Sequence, residues 1–119
     1  MGNRLQVARL GNVKGQSVLC LKGPLTMENL FLFQNAIRRE EGFSTVILDL
    51  SGVPYIDSTA LGALVAANVS CQKAGRRVVL SGVSERVSRM FKITNVESLF
   101  LTFPTLEEAI GGLTRAGAA

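Results

Sequence analysis

The chain has 119 residues, 47% apolar and 18% charged, which matches the length of one domain and supplies enough apolar material for a core, excluding intrinsic disorder. Histidine and tryptophan are absent, so the usual general base and the commonest metal ligand are missing, and a hydrolase would have to run on carboxylates. The net charge of +4 comes from dispersed basic residues, paired only at Arg38-Arg39 and Arg76-Arg77, which describes a solvated surface rather than a nucleic-acid footprint.

Residues 5–10 alternate loosely and predict an edge strand. A turn bracketed by Gly11 and Gly15 leads to a more buried strand over 17–22, so the chain opens with a hairpin. Gly23-Pro24 breaks that strand. Thr26 is the expected N-cap of the first helix, with Glu28 in its first turn. Met27, Leu30, Phe33 and Ile37 form its core stripe, and Glu40-Glu41-Gly42 ends it. Phe31 and Leu32 fall off that stripe, which leaves a second flanking element, a partner contact or homodimerisation open.

Residues 45–50 read as a fully buried central strand, followed by a helix over 58–74 and a strand over 77–81. Ser84 is placed to cap a third helix, whose Val87, Met90 and Phe91 make an i, i+3, i+4 stripe. Residues 99–103 form the last strand. After Pro104, the run Thr105-Leu106-Glu107-Glu108 matches a capping box opening a final helix with Leu106, Ala109, Ile110 and Leu113 inward. Residues 115–119 are expected to fray. Strands joined by helical crossovers predict parallel pairing, so the fold class is α/β, one layered domain spanning 1–119. Cys20 and Cys71 sit in apolar runs without metal-type spacing and are expected as reduced core residues. No apolar stretch approaches the roughly 20 residues of a membrane span, and the N-terminus lacks a signal peptide's apolar run, so the expectation is cytoplasmic with no membrane partner.

The unusual stretch follows the central strand. Asp49 and Asp57 are the only aspartates, and they flank one loop at the carboxyl end of a parallel strand, where open α/β sheets place their function. Asp57 is suited to N-cap the next helix, putting the Ser58 hydroxyl in the first helical turn, beside unpaired N–H groups and the positive end of the helix dipole. A phosphoryl group there would add roughly −1.5 to −2 charges at a spot that tolerates an anion. From Ser58 to Gln72 no residue is charged, so the face drawn from Ala63, Ala66, Ala67 and Val69 either packs deeply between other elements or is a protein-contact surface, the reading that a 119-residue domain with little protein to cover both sides favours.

The run Asp49-Leu50-Ser51-Gly52-Val53, then Ile56-Asp57-Ser58-Thr59-Ala60-Leu61-Gly62, resembles the STAS family of sulfate transporter and anti-sigma factor antagonist domains. Leu80-Ser81-Gly82-Val83 and the later Val87, Phe91, Ile93 and Leu99-Phe100 also match family positions, so the likeness covers nearly the whole chain. The resemblance implies a mixed sheet of four to five strands, the opening hairpin and then parallel strands, flanked by about four helices. It implies that Ser58 is the phospho-acceptor and that Asp57, Ser58, Thr59, Leu61, Gly62, Ala63 and Ala66 form the partner-binding set. It further implies a free-standing bacterial anti-sigma factor antagonist, not an enzyme, with an anti-sigma factor that is also a serine kinase as partner and a PP2C-like phosphatase restoring binding. No cofactor or metal is expected. Where many antagonists read Gly-Glu-Leu-Asp before the first helix, this chain reads Gly23-Pro24-Leu25-Thr26, without the acidic pair.

Two other classes compete. A constitutive scaffold or transport-associated accessory subunit would use the same surface without phosphorylation. A receiver-like or enzymatic site on Asp49 and Asp57 would need a Mg²⁺ site of several carboxylates, and this loop offers two. Nucleotide-binding glycine motifs are absent.

Overall fold

In the computed structural model, which describes residues 4–13, 16–40 and 42–118, the chain begins with an antiparallel pair, β1 (Gln6–Val13) and β2 (Gln16–Lys22), with Gln6 opposite Lys22 and Val13 opposite Gln16. Lys14 and Gly15 of the expected turn lie outside the described residues, and Gly11 is already within β1. The strands β3 (Thr45–Gly52), β4 (Arg77–Ser81) and β5 (Leu101–Phe103) then add in parallel, giving a five-stranded sheet in the order β1-β2-β3-β4-β5. Each parallel step needs a crossover, and each carries a helix: α1 (Leu30–Arg38), α2 (Ser58–Lys73) and α3 (Glu85–Ile93). A last helix, α4 (Leu106–Ala118), closes the chain.

The central strand explains the layering. Val46, Ile47, Leu48 and Leu50 of β3 are all buried, because the sheet is covered on both faces and β3 therefore reads as continuous apolar sequence. Val46, Leu48 and Leu50 pack with Phe33, Leu64 and Phe91 of the three crossover helices. Ile47 points the other way, into a smaller cluster with Val18, Val79, Ala109 and Leu113 under α4. Two expected caps are in place, the Ser84 hydroxyl accepting from the Val87 N–H at 3.2 Å and the Thr105 hydroxyl from the Glu108 N–H at 3.1 Å.

Several boundaries and one stripe differ from expectation. Met27 is 65% exposed and stands in a short 3₁₀ turn (Met27–Asn29) preceding α1, so the buried stripe of this helix consists of Phe33 and Ile37. Thr26 is extended at the cap position, yet its side chain makes no capping bond. Leu99 belongs to a 3₁₀ turn (Glu97–Leu99) and not to the last strand, because buried Asn68 of α2 donates to the Leu99 carbonyl at 2.9 Å and holds that turn against α2. The final helix continues to Ala118 where fraying was expected, and Ala119 lies outside the described residues. Cys71 is buried and Cys20 half-buried, and both thiols are free.

The first helix ends at Arg38, earlier than residues 40–42, for a visible reason. Glu40 leaves the helical path and buries its carboxylate, which accepts from the Ser17 hydroxyl of β2 and from Arg9 Nε of β1 at 2.7 Å. Arg76 fastens the same turn by donating to the carbonyls of Glu40 at 2.6 Å and Phe43 at 2.7 Å. Burial pushes the Glu40 carboxyl up, but the hydrogen bonds from Ser17 and Arg9 and the Arg9 charge outweigh it, holding its pKa below the usual carboxylate value. A depressed folded-state pKa contributes stability above the unfolded value of about 4.3 and loses it as pH falls from there through the folded one. Glu40→Gln is therefore expected to lose stability against wild type at pH 7, with the gap narrowing below about pH 4. Urea unfolding of both proteins across pH 3–7 checks this; a gap independent of pH would refute it.

Candidate functional site

The loop between β3 and α2 is positioned by main chain. Gly23, at φ 108°, turns the chain out of β2, and a Cβ there would collide with the Arg4 carbonyl oxygen, so only glycine serves. The segment after it lies alongside the loop: the Gly23 N–H donates to the Gly52 carbonyl (2.9 Å), the Leu25 N–H to the Tyr55 carbonyl (3.1 Å), and the Asp57 N–H to the Leu25 carbonyl (3.1 Å). Leu25 and Ile56 form a parallel bridge, and both are buried. Tyr55 is half-buried, with the Arg86 guanidinium of α3 4.9 Å from its ring centroid.

Asp57 caps α2, as its sequence position implied, Oδ1 accepting from the Ala60 N–H at 2.8 Å. Its other oxygen, Oδ2, accepts from the Met27 N–H at 2.9 Å. One carboxylate thus supplies the first turns of two chain segments, and the cap expected from Thr26 is delivered by Asp57 instead. Sequence reasoning missed this because partners thirty residues apart leave no local signal. Asp57→Ala is expected to destabilise the fold by about 2 kcal/mol, since two hydrogen bonds to a charged acceptor go at once. Asp57→Asn, which keeps one carbonyl acceptor, should cost about half as much. Denaturant titration separates the two; equal costs for both variants would count against the double cap.

Ser58 and Thr59 are exposed at the start of α2, directly beside this anchored carboxylate. Along the helix Gly62, Ala66, Val69 and Ser70 are exposed and Ala63 is half-buried, so an uncharged outer face is open to solvent. Leu61 is the exception within the expected contact set. At 5% exposure it faces the core with Ala60, Leu64, Asn68 and Cys71, because the buried stripe of α2 runs through it at helical spacing. Met27 and Phe31, 65% and 74% exposed, add apolar surface on the segment that Asp57 holds, and Leu32 is exposed too. The sequence assigned Met27 to the core; its exposure follows from the preceding extended segment, which brings Met27 onto Asp57.

Asp49 is not part of this site. It lies on the α4 face of β3, in the same parity as Ile47, where Oδ1 accepts from the Ser81 hydroxyl (3.0 Å) and Oδ2 from the Ser51 hydroxyl (2.9 Å). A Cβ on Gly82, whose φ is 64°, would stand 3.0 Å from Asp49 Oδ1 and 2.8 Å from Ser51 Cβ, so the carboxylate is tightly enclosed on that side. Burial, then the neighbouring Asp49 carboxylate, pushes the Cys20 thiol up, away from thiolate chemistry. The two aspartates have separate partners and separate structural tasks. Among the described residues no group of three histidine, cysteine, aspartate or glutamate side chains is arranged to hold a metal ion, and no helix is long and apolar enough to cross a membrane.

The family model for the STAS domain matches residues 5–109. The chain belongs to the STAS domain family. The Thermotoga neapolitana homologue of TM1081 is 34% identical over 89 residues, covering 72% of this chain and 79% of that protein. The anti-sigma-B factor antagonist of Staphylococcus epidermidis is 38% identical over 61 residues, covering 51% of this chain and 56% of that protein. Among solved structures, the anti-sigma factor antagonist SpoIIAA superimposes in its unphosphorylated form with a TM-score of 0.75 at 18% identity, covering 93% of this chain and 96% of that one. Its phosphorylated form gives 0.69 at 18% identity, over 92% and 99% of the two chains. At that identity the likeness is one of fold: the same mixed sheet, an opening hairpin followed by parallel strands, with four helices.

Proposed function

We propose that this STAS domain is an anti-sigma factor antagonist and acts as a protein-binding switch. In the unphosphorylated state it docks on an anti-sigma factor that is also a serine kinase, releasing the sigma factor; phosphorylation of Ser58 ends the docking and a PP2C-like phosphatase restores it. The observation that carries this reading is the exposed Ser58 hydroxyl next to Asp57, at the head of a helix whose outer face holds no charge before Lys73. Uncharged small residues suit a contact surface that must exclude water. A dianion at its edge would introduce charge, lose solvation on docking and stand beside the Asp57 carboxylate. The names of its relatives support an antagonist role, and the existence of phosphorylated and unphosphorylated SpoIIAA with this fold supports a switch that leaves the scaffold in place.

The test is capture of partners from source cells with wild type, Ser58→Ala and Ser58→Asp, joined to mass mapping after incubation with the captured kinase and ATP. Alanine is expected to retain the anti-sigma factor, aspartate to lose it, and the added phosphate to map to Ser58. Equal capture by all three proteins, with no phosphate on Ser58, would favour a constitutive scaffold.

A further inference from the structure

A trough of about 470 Å³ runs between α1 and α2. Its floor is apolar, formed by Phe33, Ile37 and Cys71, all buried. Its α2 wall consists of Ala63, Ala66, Ala67 and Ser70, an i, i+3, i+4, i+7 series of small side chains that lets another backbone come close at helical pitch. Its other polar features are Gln34, Arg38 and Arg76; among the described residues no carboxylate lines it. Both cations are electrostatically uncompensated among the described residues: Arg38 contacts the neutral Asn35 amide at 3.4 Å, and Arg76 is held by two backbone carbonyls. The second recess, on the far side of α1 beside Phe31 and Leu32, also carries a cation, Arg39, but is lined by a carboxylate, Glu40, which pairs with its Arg9.

We propose that this trough seats an amphipathic helix of the partner protein, its apolar face on the alanine wall and its acidic side chains turned to Arg38 and Arg76. The inference rests on the reading of α2 as the docking helix, though not on phosphorylation. Shape selects a helix, since a channel with an apolar floor between two helices accepts a third by ridge-into-groove packing. Charge selects an acidic one and disfavours a second copy of this chain: the net charge is +4, and a two-fold contact would bring two arginine-lined walls together. Cations also suit helix C-termini, which explains why Arg38 sits where it does; among the described residues no carboxylate faces it, which leaves its charge available.

The probes are two stapled helical peptides with identical alanine–leucine faces, one carrying two glutamates at one end and the other two lysines there, titrated into the ¹⁵N-labelled protein. The glutamate peptide is expected to shift amides of Gln34, Arg38, Ala63, Ala66 and Ser70, and the lysine peptide to bind at least tenfold more weakly. Arg38→Glu and Ala66→Arg, both at exposed positions, should each weaken the glutamate peptide about tenfold with an otherwise unchanged spectrum, whereas Ser58→Ala should leave it unaffected. Equal affinity of the two peptides, shifts centred elsewhere, or no binding at millimolar peptide would overturn the proposal. So would shifts of these amides on concentrating the protein alone, which give the trough to a second copy, or equal shifts with dodecanoate, which give it to a small amphiphile. Loss of the peptide site with an intact Ser58 response in partner capture would sink the trough alone; the reverse pattern would sink the switch alone.

Discussion

Ser58→Asp is expected to weaken binding of the anti-sigma factor by at least about a hundred-fold relative to Ser58→Ala, and phosphorylation to do so by as much or more. The size follows from desolvation. Pressing an uncompensated anion into an apolar contact costs about 3–5 kcal/mol, and every 1.4 kcal/mol is about tenfold in affinity. The Asp57 carboxylate adds like-charge repulsion, and its two hydrogen bonds keep it from turning away. Stability should change little, by about 0.5 kcal/mol or less, because Ser58 is exposed in the first turn, where a negative charge is favourable to the helix dipole. Calorimetric affinities of the three proteins, set beside their urea midpoints, test both halves. A comparable fall in stability would reassign the effect to unfolding, and a loss of affinity under tenfold would refute the switch.

The largest loss of stability is expected from Phe33→Ala. Phe33 is 1% exposed, at the centre of the cluster joining α1, α2 and the sheet. Emptying that space should cost about 3–5 kcal/mol through lost transfer energy and the residual cavity, a large share of the 5–15 kcal/mol that holds an ordinary domain folded. Phe31→Ala, two positions earlier in the same nine-residue helix, removes a ring that is 74% exposed and should cost under about 0.5 kcal/mol. The contrast is measurable by denaturant titration, and equal costs for the two phenylalanines would contradict the placement of α1.

How much of this was legible beforehand varies element by element. The strands over 45–50 and 77–81, the caps at Asp57, Ser84 and Thr105, and the inward Val87 and Phe91 are legible in the sequence, because each is written in a local signal: a continuous apolar run, a hydroxyl or carboxylate at a helix start, or a 3.6-residue stripe. The inward face of α2 was less legible. A helix built from alanine, leucine, valine and serine offers little contrast between its sides, so the sequence groups Leu61 with the contact residues although it lies in the core, and nothing local marks Asn68 as a buried donor to the Leu99 carbonyl.

From the order of its residues alone, this protein's layered α/β architecture, its family likeness and the serine worth testing could be reached, because periodicity, capping chemistry and a charge-free stretch are properties of neighbours along the chain. Only the tertiary structure decided that Asp57 holds Met27 as well as Ala60, that Glu40 dives under α1 to meet Ser17 and Arg9, and that a basic-lined trough opens between α1 and α2. Apart from the local Asp57–Ala60 cap, each of those contacts joins residues about twenty to forty apart, and such distances are set by the packing of the sheet and its crossovers, which no local pattern encodes.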